Sequence, residues 1–117
     1  MGRRLRPLDP TEGPVAQLAY LLRELLLGAG LTYRKLEKVA HYDHTVLCRA
    51  ASGVTVPTWK VAQAFVQGCL NAGGVTTDSD LGKCILATVE EAWAAAVEAQ
   101  IVAAEAQAVA AEAQAHR

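Results

Sequence analysis

The 117 residues suffice for one domain, or a small domain with an appendage, and a 52% hydrophobic content with only 5% aromatics predicts a small, aliphatic, helical core. The net charge of −1 hides an asymmetry: residues 1–70 hold nine Lys/Arg against five Asp/Glu, and residues 71–117 two against seven, as in a binding module with a separate acidic appendage. Three scattered cysteines without a C-x-x-C pair, no signal-peptide pattern and no apolar run long enough for a bilayer argue against a secreted disulfide scaffold or a membrane protein, and place the chain in the cytoplasm.

Residues 1–12, with Arg3, Arg4, Arg6, Pro7 and Pro10, show no periodicity and are expected to form a flexible basic arm. A first helix should open at Pro14, where the missing N–H costs nothing. Leu18, Leu22, Leu25 and Leu26 give it one apolar face, and "GAG" at 28–30 ends it. Thr32 has the chemistry of an N-cap for a second helix reaching Ala40, with Leu36 and Ala40 inward. His41 falls in a turn position that takes positive φ. Asp43 then caps a third helix expected to run to Ser52 and stop at Gly53, burying Leu47 and Ala50. Pro57-Thr58 introduces a fourth, with Val61, Phe65 and Cys69 stacked four apart and Trp59 anchoring its start.

The helix-turn-helix unit is thus assigned to residues 13–72, with 73–79 as a linker and 80–117 as a long Ala-rich helix. Thr77 and Asp80 have the spacing of a capping box for that helix. Trp93 is expected to dock it on the bundle, and Cys69 and Cys84 read as small buried hydrophobes. "EAQIVAA", "EAQAVAA" and "EAQAHR" repeat every seven residues. With Ala99 and Ala106 at a, Val102 and Val109 fall at d, and Glu98, Glu105 and Glu112 at g. Two readings stand: a solvated helix, or a seam for homo-oligomers. The fold class is all-α, a bundle of four or five helices followed by the long helix.

Two short helices joined by a three-residue turn form the unit that places its second helix in a DNA major groove. The residues "LT" at 31–32, Leu36, Ala40, Asp43, Leu47, "SG" at 52–53 and Pro57 resemble the lambda-repressor-like, or XRE-type, helix-turn-helix family. The string from Gly13 to Val66 is similar to a subgroup common in actinobacterial regulators, and the resemblance covers roughly residues 13–70. It implies double-stranded DNA as partner, with His44, Thr45, Cys48 and Arg49 facing base edges. It also implies backbone contacts from Thr32, Tyr33, Arg34, Lys35 and Lys38, and a groove-following arm carrying Arg3, Arg4 and Arg6.

The chain departs from that family at several points. Glu37 stands where alanine is usual, so its side chain must swing out or force the helices apart. Val39, Val54 and Val56 stand where basic residues are common, leaving the "VTV" loop uncharged. These departures carry the alternative, an adaptor or scaffold that turns the same fold toward a protein partner. His41, His44 and Cys48 do not make a metal site, because the turn separates them and zinc wants four ligands. No nucleophile–base–orienter set, P-loop or cofactor motif appears, so no enzyme activity, metal or cofactor is assigned.

Overall fold

Leucines at helical spacing behind Pro14 and a glycine able to take positive φ at position 30 define α1, Pro14–Gly28. The computed structural model describes residues 10–115. It is all-helical, with no strand among the described residues. A short 3-10 turn, Pro10–Glu12, leads into α1. Then come α2 (Tyr33–Ala40), α3 (His44–Ala50), α4 (Trp59–Ala72) and α5 (Asp80–Ala115). No single helix is long and apolar enough to cross a membrane. The arm residues Arg3, Arg4 and Arg6 lie outside the described residues.

The helix ends follow local chemistry. After α1, the Gly30 N–H bonds to the Leu27 carbonyl and the Leu31 N–H to the Leu26 carbonyl, a Schellman arrangement with Gly30 at φ 69°. The same pattern closes α4 through Gly74 and Val75. Thr32, Asp43 and Thr58 accept from backbone N–H groups two or three residues on, and so cap α2, α3 and α4. His41 ends α2 at φ 62°, the left-handed conformation expected of it.

Two boundaries differ from the sequence reading. α3 ends at Ala50, two residues early, because the Ser52 hydroxyl donates to the Arg49 carbonyl and accepts from Val54 N–H, drawing the backbone out of the helix. α5 is capped by Ser79, not Thr77: the Ser79 hydroxyl accepts from Gly82 N–H at 3.0 Å, and its carbonyl accepts the first helical bond from Lys83.

Leu18, Leu22 and Leu26 of α1 meet Leu36, Leu47, Phe65 and Val66 in one core. Leu25 sits at its edge. α2 approaches α4 closely at Gly68, where a Cβ would stand 2.7 Å from Leu36 Cδ1. The first half of α5 completes this core: Val89 and Ala96 are fully buried, and the helix packs chiefly against α1. Trp93 meets Trp59 in a tilted contact with ring centroids 5.5 Å apart and donates its indole N–H to the Pro57 carbonyl at 2.8 Å, docking α5 as expected. The 73–79 break therefore separates helices but not packing units, and the solvated part of α5 begins past Ala96. Cys84 corrects another expectation. It lies on the outer face of α5 and is exposed, whereas Cys69 is buried and its thiol is pushed up to about 12 by burial.

Gly82 shows how tightly α5 is seated. A Cβ there would overlap the Thr76 carbonyl oxygen and stand 2.9 Å from Thr77 Cα, both backbone atoms that cannot rotate away. Alanine gains about 1 kcal/mol of helix propensity over glycine, while overpacking costs typically about 1–3 kcal/mol. Gly82→Ala is therefore expected to lower stability by up to about 2 kcal/mol. A urea titration reads this as a lower midpoint, and an unchanged midpoint would mean that the 75–79 turn yields freely.

Candidate nucleic-acid interface

α2 and α3 pack against each other across the turn 41–43 and rest on α4. Leu47 and Ala50 anchor α3 inward, which turns Thr45, Cys48 and Arg49 to solvent on the opposite face. His44, at the first position of α3, is half-buried. Arg34, Lys35 and Lys38 are exposed along α2. Thr45, Cys48 and Arg49 thus share the exposed face of α3, with the half-buried His44 at its start and Arg34 of α2 close enough to act on the Asp43 carboxyl. Lys60, exposed in the first turn of α4, is a further cation that the sequence reading passed over.

The polar groups around the turn are tightly interlocked. Asp43 Oδ1 accepts from both the backbone N–H and the hydroxyl of Thr45, each at 2.9 Å. These bonds, led by the backbone one, hold the Asp43 carboxyl below its ordinary range. They also occupy the hydroxyl proton of the exposed Thr45. Thr32 is the N-cap of α2, accepting from Lys35 N–H at 3.2 Å.

Glu37 takes the first of its two options and swings out. Its Oε1 accepts the His44 backbone N–H at 2.7 Å and lies 2.9 Å from His44 Nδ1. The first of these bonds, then the second, lowers the Glu37 carboxyl below its ordinary range. With both carboxyls depressed, the stabilisation they give the start of α3 is present at neutral pH and is lost as acid protonates them. Glu37 is therefore part of the site. Its signal in the sequence was the pairing of an acid before the turn with a histidine just after it.

Glu37, Asp43 and His44 bring three donor atoms within 4.8 Å of one another, a different grouping from His41, His44 and Cys48. The capping and His44 contacts just described account for that closeness.

Tyr33 requires a correction. Its ring packs edge-on against Phe65 at 6.4 Å, and its hydroxyl is buried without a hydrogen-bond partner. Desolvation raises its pKa, with the neighbouring Cys48 thiol adding to the effect. A hydroxyl so placed does not reach a phosphate, so Tyr33 is a packing residue.

At the other end of α3, Arg23 donates to the Ala51 carbonyl at 2.7 Å, a cation at the helix C-terminus that ties α1 to the unit. No family model, curated protein or solved structure matches this chain.

Proposed function

We propose that the chain is a sequence-specific DNA-binding transcriptional regulator of the XRE type, acting on the bacterial nucleoid in the cytoplasm. The observation that carries this reading is the surface of α3, where Thr45, Cys48 and Arg49 are exposed together with the half-exposed His44, while Arg34, Lys35 and Lys38 are exposed on the adjoining α2. α3 enters the major groove, α2 lies against the backbone, and Arg49 has the reach to make two hydrogen bonds to guanine O6 and N7. The arm residues Arg3, Arg4 and Arg6 add phosphate or minor-groove contacts. Oligomerisation uses α5, where Val102 and Val109 are 59% and 65% exposed on a heptad seam with Ala99 and Ala106. A dimer of this kind would set two recognition helices about one duplex turn apart, roughly 34 Å.

The test is fluorescence anisotropy of a labelled random-sequence duplex pool across a salt series, followed by selection from that pool. Binding that weakens steeply with salt is expected. In the selected site, Arg49→Ala should relax preference at one base pair by about 1–3 kcal/mol, roughly 5- to 150-fold. Folded protein that binds no duplex even at low salt would end this reading.

One observation favours a second reading, an adaptor or scaffold with a protein partner. Val54 is 69% exposed in the loop after α3 and, with Val15 and residues 99–107 of α5, lines an open groove of about 520 Å³. Val39 on α2 is also exposed. An uncharged loop beside apolar surface suits a protein better than a phosphate. The same titration decides between the two.

A further inference from the structure

A neutral imidazole carries one proton, and whichever ring nitrogen holds it is the donor while the other accepts. In His44 that choice is constrained. Nδ1 lies 2.9 Å from Glu37 Oε1 and 3.4 Å from Asp43 Oδ1. Both neighbours are carboxylates, which accept and do not donate when ionised. Glu37 is also fixed in place, because the same oxygen accepts the His44 backbone N–H at 2.7 Å. In the neutral ring the proton therefore belongs on Nδ1, the tautomer that a free histidine side chain populates less. Nε2 makes no hydrogen bond among the described residues and is not among the buried unpartnered atoms, so its lone pair is open to solvent.

We propose that Glu37 is a positioning residue that fixes the neutral His44 ring as a hydrogen-bond acceptor at Nε2, so that His44 selects a base bearing an exocyclic amine, adenine or cytosine, on the strand it contacts in the major groove. The inference rests on the DNA-binding reading above and adds the chemistry that His44 reads. In that groove the donors are cytosine N4 and adenine N6, whereas guanine N7 and O6 and thymine O4 are acceptors. An Nε2 lone pair facing an acceptor leaves both unpaired. A histidine free to exchange tautomers would tolerate either edge. Glu37 thus converts an ambiguous side chain into a selective one, and it does so from α2, without approaching DNA itself. Arg49 demands acceptors at its position and His44 demands a donor at another, so the two together distinguish base steps that neither reads alone.

The experiment uses the full chain as wild type, Glu37→Ala and His44→Ala, with folding checked by circular dichroism. Long-range ¹H–¹⁵N correlations of the ring nitrogens are recorded at a pH where the ring is neutral, and each protein is taken through selection from a random duplex pool. The wild type is expected to show the Nδ1–H tautomer and to prefer adenine or cytosine at one position by roughly 3- to 10-fold, the worth of one hydrogen bond. Glu37→Ala should shift the ring toward Nε2–H and flatten that position to the level of His44→Ala.

An Nε2–H ring in the wild type, or a preference that persists in Glu37→Ala, overturns the proposal. If Glu37→Ala does not fold, the wild-type tautomer and the His44→Ala selection decide it. Wild-type protein that binds no duplex fails the DNA reading, and base selection falls with it. Binding with an unaltered preference in Glu37→Ala fails this inference alone.

Discussion

If α2 lies on the DNA backbone as proposed, replacing Arg34, Lys35 and Lys38 together by alanine weakens binding to every duplex by about a hundredfold at roughly 0.15 M salt. The loss comes from counterion release. Each phosphate neutralised on B-DNA contributes about 0.9 to the slope of log affinity against log salt, so three lost contacts flatten it by about 2.7. All three side chains are exposed on α2, and the helix is held by Leu36 and Ala40 beneath them. Alanine is the strongest helix former, so the exchange does not threaten the fold. Anisotropy of a random duplex at several salt concentrations reads both quantities. The loss should be the same for any sequence, which separates it from the change at one base pair expected of Arg49→Ala. An unchanged affinity and slope would remove α2 from the interface and move the argument to the valine-lined groove.

The contrast between these two kinds of variant reflects what sequence can and cannot reveal. Thr32, Asp43 and Thr58 were legible as caps because capping is settled within three residues of chain. Leu36, Ala40, Leu47 and Ala50 were legible because their spacing leaves one inward face. The direction of a side chain at an edge is another matter, since it depends on what another helix places beside it. Tyr33 sits at the start of α2 where a phosphate contact was expected, yet Phe65 of α4 draws its ring inward. Cys84 looked buried by residue type, but the packing of α5 on α1 places other columns inward and leaves it in solvent. Glu37 looked like a steric fault at a helix crossing. Only the turn geometry, with His41 left-handed, brings the start of α3 within its reach. Ser79 outcompeted Thr77 as a cap by standing immediately before the helix, a one-residue distinction that spacing rules blur.

Phe65 is where the structural and functional arguments meet, and Phe65→Ala is expected to cost about 3–5 kcal/mol. It is the largest fully buried side chain, and its ring supports Tyr33 on α2. Removing it deletes apolar burial and leaves a cavity that rigid helices on several sides fill poorly. A domain of this size loses about 4–8 °C of midpoint per kcal/mol, so the thermal midpoint should drop by roughly 12–40 °C. Fluorescence of the Trp59–Trp93 pair, placed between α4 and α5, would follow the transition in the core and not in the solvated end of α5. Tyr33→Phe supplies the opposite sign at the neighbouring ring. It deletes a hydroxyl that is buried without a partner and keeps the edge-on contact, so it should be neutral or stabilise by about 1 kcal/mol. A Tyr33→Phe protein that is markedly less stable would mean that the hydroxyl has a partner, and a Phe65→Ala midpoint within a few degrees of wild type would refute the core as described. DNA binding should vanish with the fold in Phe65→Ala and persist in Tyr33→Phe. The cation triple variant should show its weakened binding with its midpoint intact, so the three proteins together separate the platform from the surface it carries.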